Sequence, residues 1–314
     1  MAQQAGIIRV GQLRQSHRWE QIARWVASGE LIRLGRDWLQ NPRAPTDLSA
    51  RFARAQLQMS EPVIACSLSA AEFYGFHVVD DGKLHLTTKS GRSISAPDDV
   101  VLHQAPPRSA IEEWADFRVI DRLDALIDTA ALGREIDALA VLDAGCAVGI
   151  ERDQVIGALE RAGRRRGIAQ ARRWTLKMDS RSGSPMESRV RARILAYGLP
   201  APDLQIRVRT SDGTKFLDLG WQEYRVGADY EGEEFHTGDG RMAQDRRRHN
   251  ALADDRWQMF YPTAADVYLD HRAFVSKIER ALRTAGWTGP LTPLLPPLRD
   301  LPMPRIERRP VANR

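Results

Sequence analysis

The sequence predicts a mixed α/β protein with more than one folded part. Apolar residues recur at helical spacing between residues 119 and 149, whereas apolar and polar residues alternate strictly over residues 204–208. The chain has 314 residues, of which 43% are hydrophobic, so it can bury a substantial core. That length is typical of about two domains.

Composition excludes several classes of protein. No apolar run approaches the ~18 residues that a membrane-spanning helix needs, and the first residues lack the pattern of a secretory signal. We therefore expect a cytoplasmic protein without a membrane partner. Cys66 and Cys146 lie far apart without CxxC spacing, which predicts reduced thiols rather than disulfides or a zinc site.

The first 47 residues have the outline of a winged-helix DNA-binding module. A helix is predicted from Trp19 to Ser28 and ends at Gly29, and two short strands follow around Gly35. A small α/β segment without DNA contact is an equally good interpretation.

Residues 48–178 are predicted to form a helical connecting region with a small sheet. Residues 48–76 have a helical pattern with a second helix in residues 67–76, strands are expected at 84–88 and 99–105, and helices at 119–132 and 134–149. The best domain boundary is the segment 179–185. From residue 287 to 314 the chain is rich in proline, which predicts a mobile tail.

Positive charge is concentrated ahead of the carboxyl-terminal half. The formal net charge is +5, and the stretch from Arg161 to Arg193 contains eleven Lys or Arg and two acids. Arginine pairs well with phosphate oxygens, so we expect a nucleic-acid surface here, although a solvated helical face is the alternative.

A helix with clear end signals follows this basic stretch. Ser184 is the expected N-cap, Pro185 occupies the first helical position, and Gly198 ends the helix. Glu187 lies about 60° from the centre of the apolar stripe. Its carboxylate either completes a capping box with Ser184 or points towards whatever the helix packs against.

Three strands are predicted after this helix, and their register brings acids together. If Glu223 and Tyr224 form the centre of the second turn, Asp218 faces Asp229, and Glu231 lies on the same side of the sheet. Like charges that face each other are destabilising unless a cation or a proton compensates them. The pattern therefore indicates a Mg²⁺ or Mn²⁺ site, and a solvent-facing acidic sheet edge is the alternative.

These motifs together resemble a known family. The segments SPMESRVR, FLDLGW, GADYEGEEFH and QDRRRHNALADDRWQMFY are similar to the DUF559-type, very-short-patch-repair-like (Vsr-like) branch of the PD-(D/E)XK endonuclease superfamily. The resemblance covers about residues 180–286. It implies a three-layer α/β/α restriction-endonuclease-like domain that hydrolyses phosphodiester bonds with a divalent metal ion.

The resemblance also implies roles for individual residues. Asp218 and Asp229 would hold the Mg²⁺ or Mn²⁺ ion, which would lower the pKa of a water and offset charge on the phosphate. The implied catalytic residues are Glu187, Asp218, Asp229, Glu231, His236, Asp245 and Arg248. The expected nucleic-acid-binding residues are Arg164, Arg165, Arg166, Arg189, Arg191, Arg246 and Arg247.

Two functions follow as expectations. The first is a Mg²⁺-dependent DNA endonuclease of the defence or repair type, acting on duplex or single-stranded DNA. Glu231 occupies the position at which the superfamily motif has a lysine. The similar branch usually has Glu first and Asp second on this strand, whereas this chain has Asp229 first and Glu231 second. The second function is therefore a DNA-binding regulator whose nuclease fold does not cut.

The second expectation has its own resemblance. The segments ASGELIRLGRDWL, SLSAAEFYGF and VIDRLDALIDTAAL are similar to the region ahead of the nuclease domain in type IV toxin-antitoxin, abortive-infection antitoxin-like proteins. The sequence leaves the oligomeric state open.

Overall fold

The computed structural model describes residues 5–108, 110–115, 117–230, 247, 249–294 and 298, which form a mixed α/β fold, as predicted. The elements of the first part are β1 (Ile7–Arg9), α1 (Val10–Leu13), α2 (Trp19–Ala27), β2 (Ile32–Leu34), β3 (Trp38–Gln40), α3 (Leu48–Gln58), β4 (Val63–Ala65), α4 (Ser67–Phe73), β5 (Leu84–Thr88), β6 (Val100–Leu102), β7 (Ile111–Trp114), β8 (Phe117–Ile120) and α5 (Arg122–Leu132). The elements that follow are α6 (Glu135–Ala147), α7 (Arg152–Arg161), α8 (Ile168–Thr175), α9 (Pro185–Ala196), β9 (Asp203–Thr210), β10 (Gly213–Trp221), β11 (Val226–Ala228), α10 (residues 249–254), β12 (Gln258–Phe260), α11 (Ala264–Tyr268) and α12 (His271–Thr284).

The chain divides into two compact units. The first unit contains residues 1–133 and 148–176, and the second contains residues 134–147 and 177–314. Helix α6 therefore belongs to the second unit, although the sequence placed it in the connecting region. Within the described residues, no helix combines the length and the apolar character that crossing a membrane requires.

The amino-terminal part of the first unit is a three-stranded sheet with two helices. The strand order is β1-β3-β2, and both neighbouring pairs are antiparallel. Ile22 of α2 packs with Leu31 and Leu39 in a small apolar cluster, which attaches the helix to the sheet. The predicted helix and both predicted strands are confirmed.

A five-stranded sheet follows in the same unit, in the order β6-β5-β4-β8-β7. The two helices predicted within residues 48–76 are confirmed as α3 and α4, but strand β4, which lies between them, was not predicted. All three residues of β4 are buried, and the strand lies between β5 and β8. A run of three apolar residues is too short to show a period of two, so only its partners define it as a strand.

The second unit is built on a mixed four-stranded sheet in the order β12-β11-β10-β9. Strands β9, β10 and β11 are antiparallel neighbours, and β12 joins β11 in parallel. The sheet contributes to two separate apolar clusters: Leu219 and Leu204 pack with residues of α9 and α12, whereas Leu217 and Ile206 pack with Leu252 of α10.

Residues 287–294 belong to the folded unit rather than to a tail, which corrects the predicted boundary at 287. Trp287 is buried with the cluster of α9 and α12. The Thr292 N–H donates to the Gly198 carbonyl (3.0 Å), and the Leu294 N–H donates to the Ala196 carbonyl (3.0 Å). Residues 295–297 and 299–314 lie outside the described residues.

Candidate functional site

The site is formed where the hairpin of β10 and β11 ends. Residues 222–225 form its turn, and the pairing of Leu219 with Ala228 and of Trp221 with Val226 confirms the predicted register. Continuing this register by one residue places Asp218 opposite Asp229. The two carboxylates therefore meet at the end of the paired segment, as the sequence predicted.

Reciprocal hydrogen bonds fix the two carboxylates in place. The Asp218 N–H donates to Oδ1 of Asp229 (2.8 Å), and the Tyr230 N–H donates to Oδ2 of Asp218 (2.9 Å). Asp229 is buried, with 7% of its surface exposed. Each carboxylate is thus held through one oxygen by the backbone of the other chain segment, which limits its rotation.

The sheet changes its packing direction at this point. Leu217 and Leu219 are two residues apart and would share a face in a regular strand, yet they pack in different clusters. Ile206 and Leu204 on β9 differ in the same way. Between them, Gln205 has a left-handed backbone conformation (φ 51°), which is unfavourable for a residue other than glycine.

Glu187 of α9 lies beside this pair. Its Oε2 accepts hydrogen bonds from the Gly183 N–H (2.8 Å) and from Nε2 of Gln205 (3.3 Å). Burial raises the pKa of Glu187 above its ordinary value, and the negative charge of Asp218 raises this pKa further. The pKa of the Glu187 carboxyl group therefore depends on the charge of Asp218.

Both sequence interpretations of Glu187 are partly realised. The Ser184 side chain caps the helix by accepting from the Glu187 N–H (3.2 Å). The Glu187 carboxylate, however, binds the Gly183 N–H rather than that of Ser184, so the capping box is only half formed. The carboxylate instead faces the region of Asp218.

The donor atoms of this site are all oxygens of the kind that hard divalent cations prefer. Such ions are commonly bound by one or two carboxylates, together with waters and a substrate phosphate. Within the described ranges, which omit Glu231, no cluster of three or more acidic, histidine or cysteine side chains suits a metal ion. The Asp218–Asp229 pair supplies two carboxylates, which is a number that Mg²⁺ commonly takes from a protein.

Five of the residues named from sequence lie outside the described residues, namely Glu231, His236, Asp245, Arg246 and Arg248. Their roles stay predictions. Arg247 is helical and exposed.

The structure revises the expected nucleic-acid surface. Arg189 and Arg191 are buried, and each forms an ion pair with an aspartate of α6: Arg189 with Asp137 (2.7 Å), and Arg191 with Asp143 (2.7 Å). Guanidinium groups held this way cannot reach a phosphate, so we assign these two arginines to the packing of α9 on α6. The spacing of charges along α9 gave no sign of this, because the aspartates lie about 50 residues earlier.

The arginine run 164–166 is also divided. Arg164 and Arg166 are exposed, and both stay candidates for phosphate contact. The Arg165 side chain is only 9% exposed and pairs with Asp128 (2.8 Å), so it does not extend into solvent.

Sequence reasoning missed two residues of the site, Gly183 and Gln205. The sequence predicts Gly183 only as part of the domain boundary at residues 179–185. In the structure, a Cβ atom at this position would lie 3.1 Å from Oε1 of Glu187. Gln205 occupies a polar position in an alternating strand, and such positions usually face solvent. Only its contact with Glu187 and its backbone conformation mark it.

Comparison with known proteins extends over nearly the whole chain but assigns no activity. No family model matches the sequence. Two proteins from different strains of Mycobacterium tuberculosis are each 28% identical over 279 residues, which covers 86% of this chain and 99% of the relative. Both are described as uncharacterized proteins. The similarity includes most of both compact units.

Proposed function

We propose that the second unit hydrolyses phosphodiester bonds in DNA and uses Mg²⁺ or Mn²⁺ as its cofactor. The observation that carries this proposal is the reciprocal bonding of Asp218 and Asp229, which holds two carboxylates together at the end of a hairpin. Like charges in this position are unfavourable by themselves. A bound divalent cation would offset their repulsion and would explain why the two carboxylates are held together.

The residues around the pair divide the remaining tasks. The bound ion would supply Lewis acidity towards the scissile phosphate. Glu187, whose pKa is raised by burial and by Asp218, is the group that we assign to hold a proton beside the pair. Gly183 and Gln205 orient its carboxylate through their hydrogen bonds. His236 or Arg248 is the residue expected to stabilise the negative charge of the transition state.

DNA cleavage tests this proposal. Purified full-length protein is incubated with supercoiled plasmid, single-stranded DNA and mismatched duplex, with Mg²⁺ or Mn²⁺ and with a chelator. We expect metal-dependent cutting that Asp218→Asn reduces to background. Asparagine keeps the oxygen that accepts from the Tyr230 N–H, so the variant removes the charge and retains the hydrogen bond.

The matched control is Asp212→Asn. Asp212 lies in the exposed turn between β9 and β10 and pairs with Lys215 (2.9 Å), away from the carboxylate pair. The Asp212→Asn variant should cut DNA as the unmodified protein does. Mn²⁺ titration by calorimetry supplies a second readout, and Asp218→Asn should lose the heat of binding. Absence of cutting by the unmodified protein on every substrate would refute the enzyme proposal.

A DNA-binding regulator that does not cut is the second candidate. Its support lies in the first unit, where two helices and a three-stranded sheet form the amino-terminal module. Arg9 and Arg33 stack on Trp38 and Trp19, at 5.0 Å and 5.9 Å from the ring centroids. This arrangement places cationic groups on the sheet and beside α2.

Binding without cutting separates the two candidates. For a regulator, we expect salt-sensitive binding of duplex DNA that Arg9→Ala and Arg33→Ala weaken, while Asp218→Asn leaves it unchanged. Binding that is insensitive to salt, or that both arginine variants retain in full, would refute the second candidate.

A further inference from the structure

The first unit contains a cavity of about 190 Å³ that the proposed nuclease site does not use. It lies between the start of α4, strand β5, the loop after β6, helix α5 and the loop before α8. Its lining residues are Cys66, Ser67, Thr87, His103, Ala105, Pro106, Pro107, Arg108, Ile120, Asp124, Asp128, Leu132, Arg165 and Arg166. A void of about 150 Å³ is enough to hold a benzene ring.

Arg165 is the most informative residue of this lining. Its side chain is 9% exposed, and one terminal nitrogen, Nη1, pairs with Oδ1 of Asp128 (2.8 Å). Its other two nitrogens, Nε and Nη2, are buried and have no hydrogen-bond partner among the described residues. Buried polar groups are normally satisfied, and leaving one without a partner is unfavourable. The guanidinium therefore has two unsatisfied donors in a side chain that lines the cavity.

The charge balance of the lining favours an anion. Three arginines and two aspartates line the cavity. Burial lowers the pKa of His103, and the charge of His85 lowers it further, so the imidazole is neutral at pH 7. Burial also raises the pKa of the Cys66 thiol, which is therefore uncharged as well. The net charge of the lining is positive.

Part of the lining is apolar. Pro106, Pro107, Ile120 and Leu132 contribute rings and branched side chains without hydrogen-bonding groups. A small site with a cationic end and an apolar wall matches a ligand with an oxyanion at one end and a compact apolar body at the other.

The backbone that carries Arg165 is held firmly against α5. Gly167 has φ 74°, and a Cβ atom there would lie 1.9 Å from the Ala131 carbonyl oxygen. Nε2 of Gln170 donates to the carbonyls of Ala130 (2.7 Å) and Gly133 (3.1 Å). The arginine is therefore positioned before any ligand arrives, which reduces the entropic cost of binding.

We propose that this cavity binds a small organic anion, whose carboxylate or phosphate is held by Nε and Nη2 of Arg165 and whose body packs against Pro106, Pro107 and Leu132. A guanidinium binds both kinds of oxyanion through paired N–H groups. A cavity of about 190 Å³ is too small to admit a duplex backbone, which would reach only exposed lining residues such as Arg166.

Calorimetric titration of the full-length protein tests the proposal with benzoate, phenyl phosphate, inorganic phosphate and a short DNA duplex as probes. We expect saturable binding of benzoate or phenyl phosphate, whichever oxyanion fits, and at least tenfold weaker binding of inorganic phosphate, which lacks the apolar body. Arg165→Met should weaken the preferred probe at least tenfold.

Two further variants make the result independent of folding. Arg165→Lys keeps a cation opposite Asp128 but lacks the paired donors, and it should also lose at least tenfold in affinity. Arg164→Met removes an exposed arginine of the same run that does not line the cavity, and it should bind as the unmodified protein does. Binding of neither organic anion, equal binding by Arg165→Lys, or binding of DNA alone at Arg165 would overturn the proposal.

Discussion

Removing Asp143 should destabilise the second unit strongly, because the residue neutralises a buried arginine. Asp143 is 2% exposed, and both of its carboxylate oxygens accept from Nη2 of Arg191 (2.7 Å each). It also accepts from the Ser188 hydroxyl (2.6 Å) and the Asp179 N–H (2.8 Å). Burial raises the pKa of Asp143 to about 6, against the opposing effect of Arg191, so the carboxylate is ionised at pH 7.5.

The size of the effect follows from what Asp143→Ala leaves behind. The Arg191 guanidinium stays buried without its counter-ion, and its Nε already has no hydrogen-bond partner among the described residues. Breaking a buried pair in this way costs about 3–5 kcal/mol. For a unit of this size, each 1 kcal/mol lowers Tm by about 2–4 °C, so we expect a decrease of about 6–20 °C.

Urea unfolding at pH 7.5, followed by tryptophan fluorescence and circular dichroism, measures this change. The double variant Asp143→Leu with Arg191→Met removes both charges and should recover most of the lost stability. As a control, Glu279→Ala breaks the exposed pair with Arg283 on α12 and should change the free energy of unfolding by less than about 0.5 kcal/mol. A cost below about 1 kcal/mol for Asp143→Ala would refute the reasoning.

Two further predictions concern other parts of the chain. Gly167→Ala should cost about 1–3 kcal/mol more than Gly149→Ala in urea unfolding, because both glycines have positive φ but only at Gly167 would the new methyl group overlap the Ala131 carbonyl; equal costs would contradict this. The affinity for Mn²⁺ should fall as pH decreases, and the fall should begin above the ordinary pKa range of a glutamate. Burial and the charge of Asp218 raise the pKa of Glu187, and protonated Glu187 adds no negative charge to the site. Calorimetry across pH checks this, and Glu187→Gln should flatten the upper part of the profile. An unchanged profile would show that Glu187 is not coupled to the proposed metal site.

Local sequence signals predicted the part of the site that depends on neighbouring residues. Ser184, Pro185 and Gly198 define both ends of α9, because capping and helix termination depend on a few adjacent residues. The turn at 222–225 fixes the register of a hairpin, and the register alone brings Asp218 to Asp229. Each of these features depends on residues that lie within about a dozen positions of one another in the chain. Sequence patterns predict local structure over about that separation.

Contacts between distant segments decided the rest. The sequence predicted Arg189 and Arg191 as surface cations, but they pair with Asp137 and Asp143 of α6. It did not distinguish Arg165 from Arg164 and Arg166, but Arg165 pairs with Asp128 of α5.

The sequence by itself thus determined the α/β class, the ends of α9 and the meeting of two carboxylates. The tertiary structure decided which arginines are buried, where Glu187 points, and that a cavity exists in the first unit. The physical reason is that burial and ion pairing depend on partners far away along the chain. A helix or a turn, in contrast, is specified by the residues that form it.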